Sequence, residues 1–459
     1  MGADRVLTSL AGWGRTAPTV GEVVSVASRD RAAMQAAVKD LPARGGITRG
    51  LARSYGDSAQ NGGGVALRLF DAAHEVVVDA ATATATVPGG ISLDELLRAI
   101  VPRGFFIPVS PGTRYVTVGG AIASDIHGKN HHVDGSFGNH VHRLTLLLAD
   151  GSLVELSPDQ RPDLFWATVG GMGLTGVILD ATVGLLPIET SRCAVDTDRL
   201  PDLDALLTLM DEGDRYYRYS VAWIDLVAKG KHLGRSVLTR GDHATVDQLP
   251  PRVAVDPLAY DPRQLAAVPP VIPARGLVSH LSMAAFNELW FRKAPTRKVA
   301  QIVSIPSYFH ILDFVGSWNR LYGRRGFLQY QFVVPFGEEL ALRRVVERLA
   351  ASGTASFLAV LKRFGDGNPA PLSFPRPGWT LALDLPAAAP GLADMLHGLD
   401  EVVLDAGGRH YLAKDAHTTP AAIRRGYPRL AEWQAVRAAV DPAGVWVSDQ
   451  SRRLELLEY

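Results

Sequence analysis

Two glycine-rich segments constrain this chain more than any other feature: TRGLARSYGDSAQNGGG at 48–64 and SPGTRYVTVGGAIASDIHGKNHH at 110–132. Runs of small residues leave main-chain N–H groups bare, and successive N–H groups converge on an anion without help from a helix dipole. In the second run, Thr117, Gly119 and Gly120 let backbone approach a flat ligand closely. Either run alone also reads as a set of tight turns; together they can cradle one elongated, pyrophosphate-containing molecule. A third segment, GMGLTG at 171–176, spells G-x-G-x-x-G. The dinucleotide fingerprint needs a strand before it and a helix after it. Here PDLFWATVGG, before it, reads as a helix and GVILDATVGLL, after it, as a strand. The expectation is a helix-to-strand turn, not a nicotinamide site.

The pattern around these loops, over residues 45–190, is that of a mixed α+β domain. HEVVVDA and ATATATV alternate in period two, and LTLLLADGSLVEL reads as a hairpin turning at Asp150-Gly151. SLDELLRAIVPRG carries a capping box, Ser92 with Glu95, and Gly104 as a stop. Strands and helices do not alternate strictly, which argues against a doubly wound sheet. From about 191 to 407 the strands become aromatic-rich, as in RYYRYSVAWIDLV, GFLQYQFVVPF, ASFLAVLKRFG and WTLALDLP, predicting a second, antiparallel sheet with covering helices. Residues 250–275 hold seven of the 29 prolines and read as a mobile lid or a disordered loop. The tail TTPAAIRRGYPRLAEWQAVRAAVDPAG is predicted helical, with Pro420 near its start.

Composition narrows the function. Lysine plus arginine equals aspartate plus glutamate at 47 each, so no net field holds nucleic acid, and none is expected as a partner. Cys193 is the sole cysteine, which excludes an intramolecular disulfide, a Cys-x-x-Cys pair or a thiolate cluster. The N-terminus shows no signal-peptide pattern and no stretch is long and apolar enough to span a bilayer, so membrane contact is expected only at the periphery, from the cytoplasmic or the envelope side. His127, His131, His132, His140 and His142 crowd into DIHGKNHHVDGSFGNHVHR, but Gly128, Gly135 and Gly138 break any helix that would set ligands at i, i+4. No metal site is expected, although a histidine-based metal protein stays open as a second alternative.

The two loops together resemble the FAD-binding domain of the vanillyl-alcohol oxidase superfamily. At finer grain GWGRTAP, RSYGDSAQNGGG, PGTRYVTVGGAIASDIHGKNHH, GSFGNHV, FWATVGG, GFLQYQF, APLSFP and RRLELL are similar to the decaprenylphosphoryl-β-D-ribose oxidases, nearly end to end. The resemblance implies a PCMH-type FAD domain over 1–190, a substrate domain over 191–407, and a C-terminal segment, 408–459, returning to the FAD domain. It implies cofactor contacts from Arg53, Ser54, Tyr55, Gly56 and Asp57 in the first loop. The second loop would contribute Gly112, Thr113, Thr117, Gly119, Gly120, Ala123, Ser124, His127, Gly128 and Asn130. Gly173, Gly176, Val177 and Lys414 would complete the set. Relatives that attach flavin covalently carry a histidine where this chain has Arg53, so FAD should be held noncovalently.

Oxidising a secondary alcohol needs a hydride acceptor, which the cofactor supplies, together with orientation, a proton acceptor and a cation. The resemblance places Lys414, His127 and Tyr55 as catalytic residues, Lys414 stabilising charge at the reduced flavin edge. Lys129, Trp223, Gln329, Gln331, Lys362 and Ala382 would bind substrate, lysines suiting a phosphate and glutamines suiting sugar hydroxyls. Ala382 stands where many members carry a cysteine, Ser124 replaces another, and Val221 and Thr380 differ from the usual serine and asparagine, so no thiol is expected in the redox step. The implied reaction oxidises C2 of a lipid-linked ribosyl phosphate to the keto sugar, which a separate nicotinamide-dependent reductase then reduces. The aromatics of FNELWFRKAPTRK beside Arg292, Lys293, Arg297 and Lys298 suggest a membrane-facing patch, or simply a solvated basic face. The nearest alternative is a soluble sugar-alcohol or aldonolactone oxidase using oxygen.

Overall fold

The computed structural model describes the chain except residues 1–3, 29, 71–74, 275, 355, 357 and 458–459. His74, at the start of the run HEVVVDA, therefore lies outside the described residues, and the strand it was expected to open runs Val77–Asp79.

Among the described residues, the N-terminal part holds two larger sheets and a two-stranded ribbon, Phe105–Phe106 with Leu186–Pro187. The first, ordered Asp4–Leu10, Thr19–Ala27, Val65–Phe70, Gly46–Thr48, is mixed; the second, ordered Val77–Asp79, Thr84–Pro88, Val177–Gly184, Val141–Leu147, Leu153–Leu156, is antiparallel. The hairpin turns at Asp150-Gly151, where Gly151 takes φ +84°, a conformation that a Cβ would penalise. Helix Leu93–Ile100 starts as its sequence requires: Ser92 accepts from the Glu95 N–H while the Glu95 carboxylate accepts from the Ser92 N–H at 2.9 Å. Such a cap contributes about 1 kcal/mol. Its buried face, Leu93, Leu96, Leu97 and Ile100, packs on the second sheet.

The third sheet positions the site. Its eight antiparallel strands run in the order Arg297–Ser304, Arg192–Leu200, Ser236–His243, Tyr219–Ile224, Ala359–Phe364, Gly378–Pro386, Phe327–Val334, Arg409–His410. Successive side chains point to opposite faces. Along Phe327–Val334, residues Leu328, Tyr330, Phe332 and Val334 pack under helices Glu339–Ser352 and Leu392–Asp405. Phe327, Gln329, Gln331 and Val333 consequently face the other way, toward the N-terminal sheets. Leu381, Leu383 and Leu385 also join the helix-covered core, which puts Thr380, Ala382 and Asp384 on the same opposite face. Leu361 does likewise for Val360 and Lys362. Two apolar cores thus sandwich one polar layer.

The C-terminal segment crosses back. Helices Pro420–Gly426 and Leu430–Val440 follow the sequence signals, Pro420 occupying the first turn. Trp446 then bridges to Gly46 and buries its ring among Val24, Val65 and Leu147 of the N-terminal part. The proline-rich segment departs from the expectation of a lid or disordered loop. It runs as an anchored strap: Ser191 donates from its N–H to Pro257 and from its hydroxyl to Ala259, Arg98 donates to Pro262, and Ala266–Ala267 pairs in parallel with Val315–Gly316. Tyr260 anchors it further by packing on the core. Among the described residues, no helix is long and apolar enough to cross a membrane.

Candidate active site

Where the polar face of the third sheet meets the two glycine-rich loops, a cleft of about 270 Å³ opens. The first loop contributes Arg53, Ser54 and Tyr55; the second contributes Gly112, Thr113, Thr117, Gly119, Gly120, Ala123, Ser124 and His127. Gly173 and Gly176 reach it from the helix-to-strand turn, in which helix Pro162–Thr168 precedes strand Val177–Gly184, the reverse of a dinucleotide fingerprint. The sheet brings Gln329, Gln331, Lys362 and Ala382, and the segment after Arg409–His410 brings Lys414.

The loops are built to touch. Thr117 caps helix Val118–Ala123 by accepting from the Gly120 N–H, and a Cβ on Gly50 would sit 2.5 Å from the Thr117 hydroxyl. Gly119 donates to the Gly89 carbonyl at 2.8 Å, so PGG at 88–90 forms a further wall that the sequence reading passed over. Trp13, Arg49, Trp318 and Tyr411 also line the cleft without having been singled out, although Trp13 lies inside GWGRTAP, one of the strings that carried the resemblance.

Seven expected contacts lie elsewhere. A Cβ on Gly56 would meet the Asp415 carbonyl at 2.0 Å, so Gly56 serves loop-to-loop packing. Asp57 is paired with Arg453 at 2.7 Å, and Asn130 donates to the Pro108 carbonyl at 2.7 Å. Gly128 packs against Ser110, and Val177 pairs with Leu147 inside the second sheet. Lys129 turns away from the cleft, donating to the Tyr308 carbonyl with its ammonium 4.0 Å from that ring centre. Trp223 stands half-buried beside Val360, one strand beyond the cleft. These residues brace the walls; their side chains are not in the lining.

The electrostatics are those of a cation-rich, water-poor cavity. Burial lowers Lys414 to about 8, opposed by the charge of Asp384, and lowers Lys362 to about 7, helped by the charges of Lys414 and Lys129. Burial and the lysines hold His127 well below the ordinary histidine range, so its ring is neutral. That ring is clamped: the Gln331 amide lies 2.9 Å from Nε2, Lys362 Nζ 3.3 Å from Nδ1, and Phe364, Phe374 and Tyr411 surround it. Three other histidines of the cluster are engaged separately: His131 accepts from the Gly365 N–H, while the rings of His132 and His140 bond the Tyr217 and Asp134 carbonyls. Among the described residues, no three histidine, cysteine or acidic side chains are placed to hold a metal ion.

In the first loop, Arg53 stacks 3.9 Å over Trp13, and its Nε lacks a hydrogen-bond partner. A half-buried guanidinium with an open donor beside bare loop backbone suits a pyrophosphate. The residues therefore fit FAD. Residues 24–157 match the family model described as an FAD binding domain, and 386–454 match that of D-arabinono-1,4-lactone oxidase. The chain is 47% identical over 98% of its length to decaprenylphosphoryl-beta-D-ribose oxidase of Mycolicibacterium smegmatis, covering 97% of that protein. This chain belongs to the decaprenylphosphoryl-β-D-ribose oxidase family. It is an FAD-dependent oxidoreductase with the two-domain PCMH-type fold. More distant likenesses are confined to part of the chain: alditol oxidase of a Streptomyces species is 32% identical over 27% of it and 29% of that protein, and mouse L-gulonolactone oxidase 32% over 31% and 32%. As in the resemblance, this family member lacks the cysteine at 382, and its sole cysteine, Cys193, is buried outside the cleft.

Proposed function

We propose that the chain oxidises the C2 hydroxyl of a polyprenylphosphoryl-β-D-ribofuranose to the 2-keto sugar, the first half of an epimerisation that yields the arabinose donor for cell-wall synthesis. The observation that carries this reading is the pairing of Lys362 and Lys414 with Gln329 and Gln331 along one cleft: two cations for an anionic substrate and two amides for its hydroxyls. FAD, held noncovalently, supplies the two-electron acceptor. Lys414 would offer positive charge to the reduced, anionic cofactor, and the Tyr55 ring, kept un-ionised by burial, lies 4.0 Å from that ammonium. Lys362 meets the phosphate or the adjacent sugar oxygen. The free-base fraction of Lys362 is able to take the hydroxyl proton near neutral pH, with the neutral His127 ring 3.3 Å away to orient it. The 2-keto product needs a second hydride, from a separate nicotinamide-dependent reductase.

The polyprenyl chain is met at the surface. Helix His280–Lys293 exposes Leu281, Leu289 and Trp290 beside Arg292 and Lys293, which supports peripheral contact with an anionic bilayer. The test of the main reading is anaerobic mixing of holoprotein with polyprenylphosphoryl ribose: loss of the visible flavin absorbance is expected, and its persistence overturns the reading. The match of 386–454 to a lactone oxidase favours a second reading, oxidation of free alditols or lactones, and bleaching by those compounds alone selects it.

A further inference from the structure

Asp384 carries no role in the account so far, yet it is a fully buried carboxylate bonded to Gln329, a side chain of the cleft. It lies on strand Gly378–Pro386, fully buried, directly across from Gln329. The Gln329 amide nitrogen donates to Asp384 Oδ1 at 2.6 Å and to the Tyr55 hydroxyl at 3.3 Å. An amide has one donor end and one acceptor end. With its nitrogen held by these two oxygens, Gln329 presents its carbonyl oxygen to the cleft it lines. The side chain of Tyr55, in turn, carries the Lys414 ammonium 4.0 Å from its ring centre.

A lone carboxylate in an apolar strand costs several kcal/mol unless charge and hydrogen bonds offset it. Two donors and one cation face Asp384 from the elements packed on it: Gln329 from strand Phe327–Val334, Tyr322 from Trp318–Tyr322, and Lys414. Leu358 offers a backbone carbonyl, to which the Asp384 N–H donates, and Tyr55 adds an un-ionised hydroxyl backed by Arg53.

We infer that Asp384 is a positioning residue for the oxidation, orienting Gln329 so that its carbonyl faces the sugar and, through the Tyr55 side chain that touches both Gln329 and Lys414, placed as the nearby buried negative charge that answers the Lys414 ammonium. The inference deepens the proposed function and rests on it for the identity of the sugar, but not for the charge coupling. Burial raises Asp384 to about 7, and the coupling to Lys414 runs in both directions.

The experiment separates charge from orientation with two variants. Asp384→Asn keeps an acceptor for Gln329 and loses the charge; Asp384→Leu loses both. The reactivity of Lys414 is read by trace acetylation with acetic anhydride across pH on the holoprotein, quantified by peptide mass spectrometry. In both variants its titration midpoint is expected to fall by roughly one pH unit, a tenfold loss of proton affinity. With polyprenylphosphoryl ribose, KM is expected to rise about tenfold in Asp384→Leu and to change less than about twofold in Asp384→Asn. An unchanged Lys414 midpoint in Asp384→Asn overturns the inference whatever the substrate proves to be. A lowered midpoint in a protein that fails to turn over the lipid sugar sustains the coupling and sinks the substrate assignment instead. Should Asp384→Leu not fold, the midpoint in Asp384→Asn decides alone.

Discussion

The ammonium of Lys414 rests 4.0 Å from the ring centre of Tyr55, in contact with the electron-rich face of a phenol that burial keeps un-ionised. A cation held against an aromatic face in a dry cleft gains about 2 kcal/mol or more and keeps little rotational freedom. Lys414→Met removes the charge while keeping most of the length. The rate of substrate-driven flavin reduction is expected to fall roughly 100-fold or more, the scale for losing one preorganised electrostatic contact. Stopped-flow spectrophotometry measures it; a fall below fivefold would place Lys414 outside the chemistry.

The pH dependence follows from the same residues. Lys414, lowered to about 8, loses its charge as pH rises through that value, while Asp384, raised to about 7, loses its charge as pH falls through that value. The working state, ammonium with carboxylate, is therefore richest between about 7 and 8. The reduction rate should fall on both sides of this window, the acid limb being shared with protonation of Lys362, and in Asp384→Asn the alkaline limb should move to lower pH. A monotonic profile from pH 6 to 10 in the wild-type protein would contradict the assignment.

Lys362 trades stability for binding. Its folded value of about 7 lies below the unfolded 10.5, so the unfolded chain binds more protons between the two. Stability from this group consequently rises with pH across that interval, and the penalty is fully present below about 7. Lys362→Met abolishes the penalty. In anion-free buffer at pH 6.5 the variant should melt about 2 °C higher than the wild type, with the gap closing by pH 10, while its KM for the lipid sugar phosphate rises. Calorimetry across pH checks the first and steady-state kinetics the second.

Much of this architecture was legible in the chain itself. The Ser92–Glu95 box, the turn at Asp150-Gly151 and the reversed order around 171–176 are local, and local chemistry decides them. Gln329 and Gln331 stand two apart in a strand, so a single alternation put both on one face. Glycine loops were harder, because a residue such as Asp57 faces either the ligand or the neighbouring loop, and the answer depends on Arg453, nearly 400 positions away. Lys129 failed for the same reason: its partner, the Tyr308 carbonyl, is remote in sequence. Asp384 was readable, a lone acid in WTLALDLP at the spacing of Ala382, but a single polar residue in an apolar strand gives no hint of which cation answers it.

The contact between the two glycine-rich loops yields a separate test. A methyl group on Gly50 would lie 2.5 Å from the Thr117 hydroxyl, which already accepts from the Gly120 N–H. Gly50→Ala must therefore turn Thr117 out of its cap, at about 1 kcal/mol, and widen the seam between the loops. The expected result is weaker FAD retention on dilution, read by release of flavin fluorescence, with an unchanged far-ultraviolet circular dichroism spectrum. Retention equal to the wild type would show that the loops tolerate separation.

Surface contact with a bilayer rests on a different set of atoms and fails or stands independently. Leu281 is 81% and Leu289 68% exposed on helix His280–Lys293, with Arg292 and Lys293 in its last turn and Arg297 and Lys298 opening the next strand. Apolar side chains enter the headgroup region while each nearby basic residue adds about 1 kcal/mol against an anionic surface, an attraction that salt screens. Leu289→Glu with Trp290→Glu reverses both contributions without touching the cleft. Sedimentation with phosphatidylglycerol vesicles should drop several-fold in the double variant and also in the wild type at 0.5 M salt, whereas phosphatidylcholine vesicles should retain little of either protein. Equal sedimentation of wild type and variant would return this helix to the status of a solvated basic face.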